Sequence, residues 1–442
     1  MPYSAGNRLP GERASRLGHL EVLKSELVNR LCESFENPES TSEPSNAVWE
    51  TIPSTGTPLR IVFGVDGSMQ PIRSETQPYK ELAFVKTAIL KVDSVALAKV
   101  DRENPHPFAL RDIMADSACH HATVFPLKNV TIPGISVYHA IRQIIFDSIK
   151  HASLEGEPME TLKWIAYRKW DMQPKQLPLF GCPHCEETVA TLPYDAEEGS
   201  CPSCGNHLFL TDMLGFHLEM AEDSAPQSLA MSYMGVHETL LLFTAIRHFW
   251  HEHPKLLAKC LFVKDGPLYL RAQYSKLVNP IRDFLVHAED SGHPVHLIGQ
   301  EKTGKFHDHL QMIGRDAPVG CLFIPDGDYI TKEINHRPDS KTPYGKDTNY
   351  GVKVFVKLNE YHQMVLSIPT SKNVKNPYNE SPKLEDLIGT ENIFATLPEL
   401  LSYRHEGGLL PVELANGVAS LSTYPSAQIL KMFAEESIKT ST

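Results

Sequence analysis

Two acidic residues follow similar apolar segments that lie far apart in the chain. Residues 60–68 read RIVFGVDGS and residues 260–268 read CLFVKDGPL. Each pattern predicts a buried strand that ends at an aspartate, with the following glycine beginning a turn. Carboxylates at strand ends are oxygen ligands of the kind that Mg²⁺ and Mn²⁺ prefer. We therefore predict that Asp66 and Asp265 bind a divalent ion, although Asp-Gly after a strand is also a very common turn signal.

A third carboxylate lies within an apolar helical segment. Residues 229–252 have helical character, and Glu238 is followed by the apolar run from Leu240 to Phe243. A charged group on a buried helix face is costly unless a cation or metal ion is close to it. Glu238 is therefore predicted as the third ligand, and the alternative is a glutamate on a solvent-exposed face of the helix.

Four cysteines form two Cys-x-x-Cys pairs separated by 15 residues, within CPHC and CPSC. A glycine adjoins each pair, Gly181 and Gly205, and is expected to permit a tight turn. This spacing predicts a zinc ribbon with four thiolates around one Zn²⁺, in preference to disulfides. Such a closed site stabilises a small hairpin and leaves no open position for catalysis. The predicted zinc ligands are Cys182, Cys185, Cys201 and Cys204.

Composition limits the class of protein. The chain has 442 residues, of which 41% are hydrophobic and 22% are charged, as expected of a soluble globular protein. No apolar run approaches the roughly 20 residues that span a bilayer, and the polar N-terminus lacks a secretory signal, so we expect a cytoplasmic protein without membrane contact.

The formal net charge of −12 does not favour nucleic acid binding, yet basic residues are concentrated in the C-terminal half. They form either a local groove or a solvated surface: Lys302, Lys305, Lys332, Arg337, Lys341 and Lys346.

The order of predicted elements indicates a mixed α/β fold. Strands are predicted at 60–67, 82–92, 95–100, 122–126, 258–265 and 293–299, with a hairpin at 350–357 and 361–368. Helices are predicted at 17–36, 137–151, 229–252, 275–288, 383–388, 394–403, 411–421 and 425–437. Consecutive strands followed by strand–helix alternation favour an RNase H-like mixed sheet flanked by helices. The predicted divisions are an N-terminal helix and linker (1–54), two parts of the core (55–179 and 213–442) and the inserted ribbon (180–212).

Several of these motifs, in this order, resemble the NurA nucleases. They are GVDGS around Asp66, the helical Glu238, and KDGPL around Asp265. The likeness spans about residues 55–440, and the zinc ribbon is an addition to the family pattern. The strand leading to Lys302 is similar to a family strand that ends in a lysine near the site. The run 410–419 is similar to the closing helix, where Asn416 stands in place of the usual Asp or His.

The resemblance implies an RNase H-like enzyme that cuts DNA with Mn²⁺ or Mg²⁺. It implies Asp66, Glu238 and Asp265 as ligands of two ions that act on the attacking and leaving oxygens, with Lys302 at the scissile phosphate. It also implies a homodimer and a HerA-type hexameric ATPase as partner, in DNA end processing or phage defence. The chain itself lacks a complete phosphate-binding loop, because Phe306 stands where that motif requires Ser or Thr.

Two other functions remain open from the sequence. In the first, the chain is a catalytically silent subunit of the same complex whose zinc ribbon contacts DNA or protein, with Asn416 marking the loss of activity. In the second, the same fold cuts RNA or an RNA–DNA hybrid.

Overall fold

The computed structural model describes residues 22–35, 47–75, 77–93, 118–173, 175–337, 343–371, 381–403, 407–422 and 425–439. Contacts divide the chain into two units, residues 1–47 and 48–442. Within the first unit, helix α1 (Glu26–Ser34) begins after Ser25, whose Oγ accepts a hydrogen bond from the Val28 N–H at 3.5 Å. The predicted helix 17–36 is thus interrupted before Ser25, and its first residues lie outside the described part.

The second unit is built on a nine-stranded mixed sheet and a separate two-stranded hairpin. The strands in chain order are β1 (Glu50–Thr51), β2 (Ile61–Arg73), β3 (Glu81–Asp93), β4 (Ala118–Lys128), β5 (Glu198–Ser200), β6 (His207–Phe209), β7 (Cys260–Asp265), β8 (His296–Glu301), β9 (Cys321–Phe323), β10 (Val352–Lys357) and β11 (Gln363–Ile368). The large sheet has the order β1-β9-β10-β11-β8-β7-β2-β3-β4, and β5 pairs with β6. Strands β2, β7 and β8 run parallel, and the remaining neighbours are antiparallel.

Helices lie between the strands and after them. They are α2 (Val137–Ile149), α3 (Glu157–Ala166), α4 (Gln227–Glu252), α5 (Pro254–Leu257), α6 (Val278–Asp290), α7 (Lys305–Ile313), α8 (Gly327–Tyr329), α9 (Thr390–Leu400), α10 (Leu410–Ala419) and α11 (Ser426–Lys439). The sheet and these helices confirm a mixed α/β fold.

Helices cover both faces of the sheet at β2. A Cβ at Gly64 would lie 2.4 Å from the Pro411 carbonyl oxygen of α10, and one at Gly67 would lie 2.6 Å from the Glu238 Oε1 atom of α4. Residues an odd number apart on a strand face opposite sides. Helices α10 and α4 therefore pack on opposite faces of β2. Each helix comes close to the strand at a glycine, Gly64 for α10 and Gly67 for α4.

Strand β2 is longer than predicted. The prediction ended the strand at residue 67 with a turn at Gly67-Ser68, and this was wrong, because β3 pairs with every residue of β2 from Ile61 to Arg73. Strand β7 does end at Asp265, where Gly266 has a φ of +77° and begins the turn. The parallel pairing with β7 reaches only Val65 of β2. Asp66 thus lies in mid-strand at the point where β2 extends beyond its neighbour.

Most other predicted elements are confirmed with small shifts in their ends. These include strands at 82–92 and 122–126, helices at 137–151 and 229–252, and the hairpin of β10 and β11. The predicted strand at 95–100 lies outside the described residues. The short strand β9 and helices α3 and α7 were not predicted.

Helix α4 is the central helix of the fold. By length and composition it could cross a membrane, but 72% of its most apolar stretch is buried inside the protein. No other helix in the described residues meets the same criteria. Helix α4 packs against β2, β3 and β7. A helix buried in the core of a protein can be as apolar as a membrane-spanning helix, because it is surrounded by apolar neighbours.

Candidate active site and zinc ribbon

Asp66 projects from the middle of the sheet into a buried position. Its side chain is on β2, and only 3% of the residue is exposed. Its Oδ1 atom accepts a hydrogen bond from the Gly67 N–H at 2.7 Å. Its Oδ2 atom is buried and has no hydrogen-bond partner among the described residues. A buried carboxylate oxygen without a donor is costly, and a cation would relieve that cost.

Asp265 lies beside Asp66 on the neighbouring strand. Val65 and Lys264 are paired in the parallel strands β2 and β7. Asp66 and Asp265 are the next residues of the two strands, so they lie side by side. The side chain of Asp265 is partly exposed, and its Oδ1 atom lies 2.7 Å from the Nζ atom of Lys302, which follows β8. The structure thus places Lys302 at the site, as predicted.

Glu238 approaches from α4 through the space left open at Gly67. It is buried, with 4% of the residue exposed. Its Oε2 atom accepts a hydrogen bond from the Lys264 Nζ atom at 2.8 Å, and this lysine also donates to the Asp265 carbonyl oxygen at 2.9 Å. Burial raises the pKa of Glu238, and Lys264 partly offsets that effect. The prediction of a buried face at Glu238 is confirmed.

Asn416 reaches the same centre from the opposite face of the sheet. It lies on α10, which is held against the sheet where the Lys86 Nζ atom donates to the Val418 carbonyl oxygen at 2.6 Å. The Ser68 Oγ atom accepts a hydrogen bond from the Leu421 N–H at 3.1 Å just beyond the helix. The Asn416 side chain lies beside the Asp66 carboxylate and lowers its pKa. The structure therefore places the Asn416 side chain next to Asp66.

The three carboxylates repel one another in this arrangement. Burial, followed by the charges of Asp265 and Glu238, raises the pKa of Asp66 to about 7, against the smaller effects of Asn416 and the Gly67 N–H. The structure thus brings all three predicted acidic residues together. The carboxylate oxygens are farther apart than the ligand atoms of a closed metal site. In the described part of the chain, only the cysteine group has three or more ligand atoms within 4.8 Å of one another.

The four cysteines form a compact group that could hold a metal ion. The Sγ atoms of Cys182 and Cys204 are 3.8 Å apart, and those of Cys185 and Cys201 are 3.9 Å apart. All four Sγ atoms lie within 4.8 Å of one another. These separations fit a tetrahedral ion with four sulfur ligands at about 2.3 Å each. The four cysteines could therefore bind a metal ion such as Zn²⁺.

Two similar turns support the cysteine group. The Glu186 N–H donates to the Cys182 carbonyl oxygen at 3.0 Å, and the Gly205 N–H donates to that of Cys201 at 2.9 Å. The donors have φ values of +62° and +72°. The prediction for Gly205 is confirmed, whereas the expected role of Gly181 was wrong: in the first turn Glu186 adopts the left-handed conformation.

The ribbon is anchored to the core by a buried ion pair that was not predicted. Arg142 of α2 donates from Nε to Asp212 Oδ1 at 2.9 Å and from Nη2 to Asp212 Oδ2 at 2.8 Å. Nη2 also donates to the His207 carbonyl oxygen at 3.2 Å, and Nη1 lies 3.2 Å from His184 Nε2. Arg142 and Asp212 are both at most 5% exposed. The ribbon is therefore packed into the core and not tethered loosely to it.

Lys264 is the residue of the acidic centre that was not predicted as part of it. Its only signal in the sequence is a lysine inside the apolar segment 260–265. A charged residue at such a position must find an opposite charge, but the sequence does not show that the partner is Glu238, 26 positions earlier.

Comparisons with known proteins do not identify a family for this chain. No protein-family model matches the chain, and no curated protein matches it.

Proposed function

We propose that this protein is a metal-dependent DNA nuclease whose acidic centre consists of Asp66, Glu238 and Asp265. The observation that carries the proposal is the buried Asp66 carboxylate, which has an unpartnered oxygen and two like charges beside it. A divalent ion would relieve both the missing contact and the repulsion, and the oxygen donors suit Mn²⁺ or Mg²⁺.

The strand order supports an RNase H-like core. Strands β4, β3 and β2 form an antiparallel series, and β7 and β8 continue it in parallel. An RNase H-like core is expected to have three consecutive strands followed by strands that alternate with helices, and this sheet has that order. Strands β11, β10, β9 and β1 extend the sheet beyond it.

The chemistry is phosphodiester hydrolysis. A bond forms from the oxygen of water to phosphorus, and the bond from phosphorus to the leaving oxygen breaks. Water gives up one proton, and the leaving oxygen takes one up from solvent. A bound divalent ion would supply Lewis acidity toward the phosphate and would activate the water. Asp66 and Asp265 hold their carboxylates at one level of the sheet, and Lys302 offers positive charge to the non-bridging oxygens of the phosphate.

DNA as substrate, a HerA-type hexameric ATPase as partner and a homodimeric state rest on the resemblance to NurA nucleases. One of the basic residues in the C-terminal half supports a DNA substrate, because Lys302 adjoins the acidic centre. Lys332 instead pairs with the exposed Asp328 on the surface, and Lys341 lies outside the described residues.

One observation favours the silent alternative. Asn416 occupies the position that faces Asp66 from α10, and an amide neither accepts a proton at neutral pH nor binds a divalent ion as strongly as a carboxylate does. In that case the protein retains the architecture of the site and contributes its zinc ribbon to a complex.

The decisive experiment is a cleavage assay with the full chain, Mn²⁺ and labelled single-stranded DNA, double-stranded DNA or RNA, with and without the ATPase. We expect DNA cleavage that a chelator abolishes and that Asp66→Asn reduces at least about a thousandfold. Asp328→Asn is the matched control, because its side chain is 84% exposed. Equal cleavage by Asp66→Asn and the wild type would exclude this centre. No cleavage under any condition would favour the silent alternative, and cleavage of RNA alone would change the substrate.

A further inference from the structure

Lys264 introduces a basic side chain into the acidic centre. Only 5% of the residue is exposed, and it lies on β7 between Val65 of β2 and Gly299 of β8. Its Nζ atom lies 2.8 Å from Glu238 Oε2, and the two side chains are only 7% and 5% exposed. The two residues therefore form a buried ion pair beside Asp265.

The two lysines of the centre differ in their exposure to solvent. The Lys302 side chain is 28% exposed, so solvent or a phosphate can reach it. The Lys264 side chain is 7% exposed and donates to both Glu238 Oε2 and the Asp265 carbonyl oxygen. Removing Lys264 from Glu238 would leave both charges buried without partners, which is strongly unfavourable.

One oxygen of Glu238 is already paired with a buried lysine. Its Oε2 atom is bound to Lys264, and its Oε1 atom lies against Gly67, where a Cβ would be 2.6 Å away. By contrast, Asp66 Oδ2 has no hydrogen-bond partner among the described residues, and Asp265 Oδ1 is paired with the partly exposed Lys302. Asp66 and Asp265 are therefore the carboxylates that remain available.

We propose that Lys264 replaces one of the two divalent ions expected of such a centre, so that the site binds a single ion through Asp66 and Asp265. Glu238 then serves as a positioning residue that holds Lys264. This inference rests on the proposed function, because it specifies the number of ions in the same site.

The test counts Mn²⁺ bound to the zinc-loaded full chain, by isothermal titration and by electron paramagnetic resonance of the bound ion. We expect one Mn²⁺ per wild-type chain and none for Asp66→Asn. Two Mn²⁺ per chain would overturn the role of Lys264 and leave the nuclease proposal intact. No bound Mn²⁺ would overturn both.

A charge-neutral double variant tests the same point without stranding a buried charge. Glu238→Gln with Lys264→Met removes both members of the pair and keeps side chains of similar size. We expect it to bind one Mn²⁺ with an affinity within about threefold of the wild type, a difference below 1 kcal/mol. A folded double variant that binds no Mn²⁺, or binds it more than about tenfold more weakly, would identify Glu238 as a ligand and overturn the proposal.

Discussion

Asp66 and Asp265 lie at the same level of two parallel strands, and only one of those strands continues. Strand β7 ends at Asp265, whereas β2 runs on to Arg73 with β3 as its partner. Residues of β2 beyond Val65 therefore have no pairing partner in β7. Asp66 therefore lies just past the last residue of β2 that pairs with β7, and on its other side it pairs with Ala88 of β3.

The stability of the protein without added divalent ions should fall as pH rises, because of Asp66. Its pKa is about 7 in the folded protein, against a usual value of 3.8. A raised carboxyl pKa gives stability that is complete below about pH 4 and is lost as pH rises through 7, at about 1.4 kcal/mol per unit of pKa shift. Asp66→Asn should therefore reduce the loss seen between about pH 5 and pH 8 in urea unfolding.

Two comparisons sharpen that measurement. Asp328→Asn, at an exposed site, should retain the pH dependence of the wild type. Mn²⁺ at pH 8 should stabilise the wild type more than Asp66→Asn, because a ligand that binds only the folded state adds stability by mass action. Parallel pH profiles for the wild type and Asp66→Asn would contradict the arrangement of like charges described here.

Gly67→Ala should damage the site more than the fold. The new methyl group would lie 2.6 Å from Glu238 Oε1 and 2.6 Å from Met234 Cγ, and both side chains would have to move. We expect cleavage to fall about tenfold or more, with a loss of about 1–3 kcal/mol in the free energy of unfolding. The matched control is Gly235→Ala on α4, where nothing lies within 4 Å of the new Cβ. A Gly67→Ala variant with unchanged activity would show that the position of Glu238 is not critical.

Part of this site could be predicted from local sequence. Apolar segments followed by Asp66 and Asp265 were sufficient to locate the acidic residues, and cysteine spacing was sufficient for the ribbon, since both signals are contained within a few residues. The length of β2 was not predictable in this way. Gly67 and Ser68 have the local preference of a turn, and pairing with the distant strand β3 overrides it.

The ion pairs were also beyond local sequence analysis. Lys264 and Glu238 meet because α4 packs across the sheet, and Arg142 and Asp212 meet because the ribbon packs on α2. Each pair joins elements whose contact depends on the complete fold. The sequence indicates only that a buried charge requires a partner, and it does not identify which residue that partner is.

Removing the zinc ligands should destabilise the core as well as the ribbon. Cys182 and Cys201 are at most 2% exposed and belong to the same apolar cluster as the residues of α2 and α4. We expect the wild type to contain one zinc ion per chain by mass spectrometry, and Cys201→Ser to lose it together with several kcal/mol of stability. Cys119→Ser, at an exposed cysteine, should keep the zinc. Full zinc content in Cys201→Ser would exclude the four-sulfur site.

Breaking the anchor of the ribbon should cost more than removing both of its charges. Arg142→Met leaves the Asp212 carboxylate buried without its arginine, and we expect a loss of about 3–5 kcal/mol in urea unfolding. Arg142→Met with Asp212→Asn removes the stranded charge, so this double variant should be more stable than Arg142→Met alone. Zinc content should remain at one ion per chain in both variants, because neither residue is a ligand. Additive losses in the double variant would show that Arg142 and Asp212 act independently, and the ribbon would then be held by its apolar contacts alone.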